Sequence, residues 1–251
     1  TFEQFAQQLT RYVRERLLPA EAQVIAEDRV PEEIVNEMRE MGLFGLSVPE
    51  EYGGAGLNMT QYARVVNIMA YAAPAYRSIF SINVGMFASA LKNGATEAQK
   101  AEWYPRIAEG RIACFGLTEP GSGSDSAGLQ TTATPDPDGN GWILNGTKRY
   151  ITNAPHADVA LIMARTNKEA LPKNAHVSAF IVPMSTPGIS RGSPDRKMGQ
   201  SGSHISDIML DDVRVPGDAL LGGETGKGFV FAMKSLDNGR ISVGAAATGY
   251  A

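Results

Sequence analysis

The hydrophobic period of the sequence changes twice, and these changes constrain the fold more than any other feature. Up to about residue 110, apolar residues recur at three- and four-residue steps, as in amphipathic helices. From there to about residue 226, short β-type runs alternate with Pro, Gly and Asp, which is typical of short strands. After Gly228 the helical spacing returns. We therefore predict an α+β fold: an N-terminal α-helical domain (1–111), a middle β-barrel domain (112–226) and the start of a C-terminal helical bundle (227–251).

Pro, Gly and capping residues divide the helical parts. The stripe from Phe2 to Leu17 predicts a first helix that stops before Pro19. Thr60 is predicted to cap a helix that Pro74 ends, and Thr96 opens a capping box. The last helical pattern reaches Ala251 without a stop signal, so we expect the sequence to be cut within a helix.

One strong turn signal stands in the β-type region. Asn145-Gly146 lies between the apolar runs Trp142-Ile143-Leu144 and Tyr150-Ile151. Asn-Gly between two such runs is the preferred sequence of a two-residue type I′ turn, because both central residues need a positive φ. The sequence therefore predicts a β-hairpin at this point.

Composition excludes several classes of function. The net charge of −4 disfavours nucleic-acid binding, which needs an excess of basic residues. No apolar run approaches the ~20 residues that span a bilayer. The N-terminus has no export signal, and Cys114 is the single cysteine, so no internal disulfide can form. We expect a cytoplasmic protein without a membrane span.

Two segments carry the candidate chemistry. The first runs from Cys114 to Asp125 and ends in a loop of small residues, whose exposed backbone N–H groups can approach a polar, anionic or planar ligand. The second is Asn145-Gly146-Thr147-Lys148-Arg149-Tyr150-Ile151-Thr152-Asn153. Taken singly, their apolar residues and threonines are more often plain strand core and β-formers.

Other ligand sites match the sequence less well. Ser126 stands where a dinucleotide fingerprint needs its third glycine. A P-loop ending at Gly226-Lys227 fails, because Gly228 replaces the Ser or Thr and Leu221 replaces the first glycine. The three histidines (His156, His176 and His204) are too dispersed for a metal-ligand pattern, so we expect no metal and assign them to the surface or to loops.

Together, the two segments resemble the flavin-binding signatures of acyl-CoA dehydrogenases. Leu117-Thr118-Glu119-Pro120 with Gly123-Ser124-Asp125 is similar to the first signature. The segment Asn145 to Asn153 is similar to the second, with Tyr150 where Trp is commoner. Leu236-Asp237-Asn238-Gly239-Arg240 looks like the opening of the first long helix of the family's C-terminal domain. The resemblance covers essentially the whole chain.

The resemblance implies FAD as cofactor and an acyl-CoA thioester as substrate. A flavin needs an apolar or aromatic wall and hydrogen-bond donors around its pyrimidine edge and N5. The residues that the resemblance assigns to FAD are Phe115, Leu117, Thr118, Gly123, Ser124, Tyr150, Ile151 and Thr152. Ser124, Asp237 and Arg240 are assigned to the acyl-CoA, although Asp237 and Arg240 on an isolated helix would simply be a solvated pair.

The resemblance also implies a reaction for which this sequence lacks one part. In the family a Glu base removes the α-proton while the β-hydrogen leaves as hydride to the flavin, giving the trans-2-enoyl-CoA. Most members place that Glu late in the C-terminal domain, and a minority place it just before the helix arginine, where this chain has Gly239. The catalytic Glu is therefore expected beyond residue 251, and Glu119 belongs to the flavin loop.

Three interpretations follow from the resemblance. The leading one is an acyl-CoA dehydrogenase of fatty acid β-oxidation, a homotetramer that passes electrons to electron-transfer flavoprotein. The second keeps the fold but reoxidises the flavin with oxygen, as acyl-CoA oxidases or flavin monooxygenases do. The third is a truncated flavin- or acyl-CoA-binding module without catalysis.

Overall fold

The computed structural model describes residues 1–167, 169 and 173–251, and places helices before and after a sheet. The α-helices of the described chain are α1 (Phe2–Tyr12), α2 (Leu18–Glu27), α3 (Glu32–Glu40), α4 (Met59–Met69), α5 (Pro74–Ile82), α6 (Ala88–Gly94), α7 (Glu97–Ala108) and α8 (Gly228–Tyr250). The strands are β1 (Ala113–Gly116), β2 (Thr132–Pro135), β3 (Gly141–Thr152), β4 (Val159–Arg165), β5 (Val177–Pro183), β6 (Ile189–Arg191) and β7 (Ile205–Pro216).

The first helix does not stop before Pro19, so that prediction is wrong. A π-helical turn, Val13–Leu17, joins α1 to α2, and the Leu18 N–H donates to the carbonyl of Val13, five residues earlier. Pro19 then follows in the first turn of α2, and the wider spacing gives room for its ring, which would clash with the carbonyl four residues earlier in a regular α-helix. The wider turn therefore accommodates the proline ring, and the helical path continues to Glu27.

Capping residues set the later helices, with one correction. Asn58 rather than Thr60 caps α4: its side chain accepts from the Gln61 N–H at 3.0 Å, and the Gln61 side chain accepts from the Asn58 N–H at 3.0 Å. Asn is at least as good a cap as Thr, and Thr60 lies inside the helix. The predicted capping box at Thr96 and Gln99 is confirmed at the start of α7.

The seven strands form one curled, half-barrel sheet, in the order β1-β4-β2-β3-β7-β6 with β5 on the other edge of β4. The long central pair β3·β7 is antiparallel, as is β4·β5, whereas β1 runs parallel to β4. One apolar cluster fills the inside of the curl. A second joins the sheet to α6, α7 and α8, and a third lies among α1 to α5. The predicted α+β class is confirmed.

The predicted hairpin at Asn145-Gly146 is wrong, because β3 runs through both residues as one strand. The register with β7 shifts between Leu144 and Gly146, which marks a β-bulge. The Asn145 amide donates to a carboxylate oxygen of Asp212 on β7 at 2.9 Å and accepts from the Asp212 N–H at 2.8 Å. The Asn145 side chain therefore bonds to the neighbouring strand instead of stabilising a local turn.

Helix α8 packs back onto the N-terminal helices and the sheet. The Asn67 amide on α4 donates to the Ala245 carbonyl at 3.2 Å, and the Asn238 amide donates to the Ser89 hydroxyl at 2.9 Å. At the other end of α8, Gly228 lies so close to Ser178 on β5 that a Cβ would be 2.3 Å from its carbonyl carbon. The described residues contain no helix long and apolar enough to pass through a bilayer.

Candidate functional site

A cleft of about 530 Å³ opens where α5, β3, β7 and α8 meet. It brings together Tyr150 and Thr152 from the second sequence motif and Gly239 from the last helix. The remaining lining residues are Arg77, Ser78, Ser81, Ile82, Gly85, Met86, Lys197, Gly199, Gln200, Ser203, Ile205, Ser242 and Val243. This lining combines an apolar wall with hydroxyl groups and two cationic side chains, and no carboxylate is among its described residues.

A second irregularity of β3 turns Tyr150 into the cleft. The pairing with β7 shifts register between Lys148 and Ile151, and Tyr150 has a φ of 57°, rare for a residue with a side chain. The ring stays 55% exposed, with the Arg149 guanidinium 4.8 Å from its centroid. A bulge next to a cleft redirects a side chain that would otherwise alternate with its neighbours, and here the redirected side chain is aromatic.

Arg77 places a cation in the cleft with unused hydrogen-bonding capacity. Its Nε atom is buried and has no hydrogen-bond partner among the described residues. The other cation, Lys197, donates to the carbonyls of Gly199 and Gln200 at 3.2 and 3.0 Å. A buried donor without a partner costs about 1–3 kcal/mol, and the structure bears this cost at Arg77 beside the cleft.

The small-residue loop lies beside β3. Its stem is joined to the strand where the Thr118 carbonyl accepts from the Arg149 N–H at 2.8 Å. Glu119 and Ser122 exchange backbone hydrogen bonds of 3.0 and 3.1 Å across a tight turn. Beyond this turn, Gly123 and Ser124 are exposed, and a Cβ on Gly123 would meet nothing within 4 Å. The loop therefore presents open backbone to solvent, as a ligand-approaching loop requires.

A buried ion pair lies beneath this loop. The Lys148 ammonium on β3 is 2.6 Å from Oε1 of Glu119, and the two side chains are 0% and 5% exposed. Burial lowers the pKa of Lys148 to about 8, against the opposing attraction of Glu119. Burial also acts to raise the pKa of Glu119, but the Lys148 ammonium and hydrogen bonds to the carboxylate prevail and hold that pKa below its usual value. The Glu119 carboxylate is thus paired with Lys148 in the protein interior.

Three residues assigned to FAD by resemblance are core residues. Phe115 and Leu117 are buried in the cluster that also holds Ile82 and Met86, two residues of the cleft wall. Ile151 is buried in the cluster inside the sheet. Phe115 and Leu117 therefore support the cleft from behind, and Ile151 can reach a ligand only through its backbone.

The helix residues assigned to the substrate lie outside the lining of the cleft. Asp237 and Arg240 form an ion pair three residues apart on α8, and both side chains are well exposed. Gly239 between them lines the cleft, and a Cβ there would be 3.5 Å from Met86 Cε, an ordinary contact. A Cβ at position 239 therefore fits beside the cleft without a clash.

Tertiary structure joins two histidines that the sequence separates. His156 Nε2 is 2.7 Å from His204 Nδ1, and His204 Nε2 is 3.6 Å from a carboxylate oxygen of Asp28. Their dispersal along the sequence was therefore a poor guide to their positions. Within the described ranges, no group of three or more His, Cys, Asp and Glu side chains could hold a metal ion.

Sequence reasoning missed Arg77 and the role of Lys148. Arg77 sits between the buried residues Tyr76 and Ser78, so a cation within a buried helical segment was the available signal. Lys148 stands between Thr147 and Arg149, so the local pattern carries no signal of its burial, which the bulges of β3 and the pairing with Glu119 decide.

Comparison with known proteins gives two family matches. The acyl-CoA dehydrogenase N-terminal domain matches residues 1–111, and the acyl-CoA dehydrogenase middle domain matches residues 114–213. The mitochondrial short-chain specific acyl-CoA dehydrogenase of Bos taurus is 37% identical over 252 residues, covering 100% of this chain. The chain spans 60% of the length of that relative.

Solved structures agree with the family matches. Butyryl-CoA dehydrogenase from Megasphaera elsdenii gives a TM-score of 0.92 at 34% identity, covering 99% of this chain and 65% of that one. An electron transferring flavoprotein structure from Acidaminococcus fermentans gives 0.92 at 34%, covering 99% and 64%. A glutaryl-CoA dehydrogenase from Mycobacterium smegmatis in complex with FADH2 gives 0.88 at 32%, covering 99% and 61%.

Proposed function

The chain belongs to the acyl-CoA dehydrogenase family, and from this premise we propose that it binds FAD and takes part in the α,β-dehydrogenation of an acyl-CoA thioester to the trans-2-enoyl-CoA. The observation that carries the proposal is the cleft that joins Tyr150 and Thr152 to Gly239. The chain division that goes with it is a helical domain over 1–111, a flavin- and acyl-CoA-binding domain over 112–226, and the start of a helical bundle over 227–251.

The residues at the cleft fit a flavin. The ring system is planar and amphipathic and gains negative charge near N1 on reduction, so it needs an apolar wall, donors and a positive environment. Tyr150, Ile82 and Met86 supply the wall, and the Arg77 and Lys197 side chains make the cleft positive. The loop residues Thr118, Gly123 and Ser124 with Thr152 are proposed to complete the FAD site.

Each part of the chain has a distinct role in the proposed reaction. When bound, FAD would accept the β-hydrogen of the substrate as hydride. The apolar wall excludes water from the reacting carbons, which strengthens every electrostatic interaction in the cleft. Ser124, Asp237 and Arg240 are proposed to hold the CoA part, since these polar side chains are exposed near the loop and on α8.

The proposed general base is a Glu outside residues 1–251. No Asp or Glu lines the cleft in the described part of the chain, and Glu119 is held by Lys148 beneath the loop. Gly239 occupies the alternative family position without a side chain. The 251-residue chain is therefore expected to bind FAD without reducing it.

A gain-of-function variant tests this function. Gly239→Glu should place a carboxylate in the cleft and permit slow anaerobic bleaching of bound FAD by butyryl-CoA, whereas the unaltered chain should bleach none. Gly244→Glu is the matched control on the same helix, outside the cleft lining. Rapid bleaching by the unaltered chain would place a base within these residues, and failure to bind FAD would remove the proposal.

A substrate with an acidic acyl end is a second candidate, and Arg77 favours it. The glutaryl-CoA dehydrogenase among the similar structures is named for a substrate whose acyl chain ends in a carboxylate. The guanidinium of Arg77 is a cation of the cleft, whose described lining residues include no carboxylate, and it would attract that group. A hydrogen bond to a charged partner contributes about 1.5–3 kcal/mol.

Binding measurements separate the two substrate classes. Arg77→Met should weaken glutaryl-CoA binding by about tenfold or more and leave butyryl-CoA binding nearly unchanged. Lys197→Met is the control, because it also removes a cleft cation, but one already engaged by two carbonyls. Equal losses for both ligands in Arg77→Met would exclude the acidic substrate.

The proposed partners are electron-transfer flavoprotein and further copies of the chain in a homotetramer, in the cytoplasm and in β-oxidation. On α8, Phe229, Met233 and Leu236 pack against the chain's own core, so they do not supply a surface for assembly. The exposed apolar side chains of α8 are instead Val230, Ile241, Val243 and Tyr250. Rapid reoxidation by air of the FAD that butyryl-CoA reduces in Gly239→Glu would favour an oxidase or monooxygenase. Sedimentation of the FAD-loaded protein as a monomer would contradict the tetramer.

A further inference from the structure

Neither member of the buried Glu119–Lys148 pair has a role in the proposed chemistry, yet one carboxylate joins both ends of the small-residue loop. Oε2 of Glu119 accepts from the Gln130 N–H at 2.5 Å, and Oε1 accepts from the Thr131 N–H at 3.0 Å. Oε1 also accepts from the Lys148 ammonium at 2.6 Å. The loop over 120–129 therefore starts and ends at the same charged group.

The surroundings are built around the lysine. Lys148 reaches the pair from β3, and its ammonium also lies 3.5 Å from the Leu117 carbonyl in the loop stem. A Cβ on Gly116 would be 3.2 Å from Lys148 Cγ and 2.7 Å from Ile162 Cδ1, so the glycine makes room for the lysine stem. Since a buried ammonium and a buried carboxylate are each costly alone, the two fix one another's position.

We propose that Glu119 and Lys148 are positioning residues that hold the loop over 120–129 in the conformation that binds the flavin. The inference rests on the proposed FAD site and adds the ion pair that orders its loop. A loop ordered before binding loses less conformational entropy when the ligand arrives, so it binds more tightly. Inside the loop, Ser122 is held by its backbone bonds to Glu119 and by its hydroxyl, which donates to the Asp125 carbonyl at 2.6 Å. The ion pair adds the restraint that joins the two ends of the loop.

The test uses the 251-residue chain with four variants. Glu119→Gln and Lys148→Met each leave one buried charge unpaired, and the double variant leaves none. The amide at position 119 of the double variant keeps one carbonyl oxygen, which can accept from the N–H of Gln130 or of Thr131 but lacks the second carboxylate oxygen. The fourth variant, Glu97→Gln with Lys100→Met, removes the more exposed 2.8 Å pair on α7 as a control.

Three measurements distinguish positioning from stability. Urea unfolding should show both single variants destabilised and the double variant largely recovered. The FAD dissociation constant, measured by flavin fluorescence, should remain raised by about tenfold in the double variant, since the loop must then be ordered on binding. Hydrogen exchange of residues 120–129 in the FAD-free chain should be faster in the double variant than in the unaltered chain. The control variant should exchange at the same rate as the unaltered chain.

Specific outcomes overturn the proposal. A double variant with unaltered FAD affinity and unaltered loop exchange shows that the pair serves stability alone. If the double variant does not fold, Glu119→Asp replaces it, because the shorter carboxylate cannot reach Lys148 and both N–H groups; unaltered affinity and exchange there also overturn the proposal. If the unaltered chain binds no FAD, the proposed function fails, and the exchange data still decide whether the pair orders the loop.

Discussion

Nε2 of His156 lies 2.7 Å from Nδ1 of His204, across 48 residues of sequence, so the two imidazoles share a hydrogen bond that requires at least one of them to be neutral. Burial, followed by the proximity of His204 and of Arg191, lowers the pKa of His156 below its usual 6.5. The pair links the segment after β3 to the segment before β7. A backbone hydrogen bond joins the same two segments, since the Asn153 N–H donates to the His204 carbonyl at 2.9 Å.

We expect this pair to make the free energy of unfolding depend on pH. With a folded-state pKa below the unfolded value, the unfolded chain binds more protons, and stability falls as the pH drops below about 6.5. The loss levels off once the pH is below the lowered pKa. His156→Gln should flatten this part of a urea-unfolding series between pH 7.5 and 5. An unchanged slope in His156→Gln would show that other groups cause it.

Glycines on α8 should differ in their response to alanine. A Cβ at Gly244 meets nothing within 4 Å, and one at Gly239 makes only an ordinary contact with Met86. Because glycine inside a helix costs about 0.5–1 kcal/mol relative to alanine, both substitutions should raise the free energy of unfolding by about that amount. At Gly249 a Cβ would be 2.5 Å from the Asn67 carbonyl oxygen, so Gly249→Ala should destabilise. Equal effects at all three positions would contradict the packing of α8 on α4.

The bulge in β3 requires a glycine at position 146. Its φ is 149°, and a Cβ there would be 2.5 Å from Thr131 Oγ1. Gly146→Ala should therefore lower the free energy of unfolding by about 2 kcal/mol or more, through strain and overpacking. Gly139→Ala, in the turn before β3 where a Cβ meets nothing within 4 Å, should stay within about 0.5 kcal/mol of the unaltered chain. A neutral Gly146→Ala would contradict the close approach of β3 to Thr131 at this bulge.

The Thr118 hydroxyl is expected to act on the flavin and not on the fold. Thr118 is joined to β3 through its carbonyl, which the isosteric Thr118→Val variant keeps. FAD binding should weaken by about 1–3 kcal/mol if the hydroxyl is a buried donor in the complex, while the urea midpoint stays unchanged. Thr134→Val, on the exposed part of β2, should change neither quantity. Unchanged FAD affinity in Thr118→Val would remove the residue from the site.

The buried carboxylate of Glu119 should also make the free energy of unfolding depend on pH in the acid range. Since its folded-state pKa lies below the usual 4.5, its contribution to stability is complete above that pH and is lost as the pH falls through the lowered pKa. Unfolding measured between pH 5.5 and 3.5 should show a smaller loss in Glu119→Gln than in the unaltered chain. Parallel curves would show that the carboxylate is not favoured by folding.

Local patterns determined the class of the fold and the segments of the candidate site. Periods of 3.6 and 2 follow from backbone geometry, so the apolar positions revealed helices, then strands, then a helix. The capping box at Thr96 and Gln99 was readable for the same reason, since both partners lie within four residues. The two motifs pointed to the loop after β1 and to the end of β3 before any contact was known.

Only the tertiary structure decided how residues far apart in sequence are used. Asn145 bonds Asp212 across the sheet, so a strong turn signal became a bulge in a continuous strand. Glu119 meets Lys148 beneath the loop, and Arg77 enters the cleft with Tyr150 and Gly239 because α5, β3 and α8 converge there. Local sequence sets the preferences of a segment over a few residues. Folding brings together partners that are 29 to 67 residues apart in the sequence, and the hydrogen bonds between them can outweigh those local preferences.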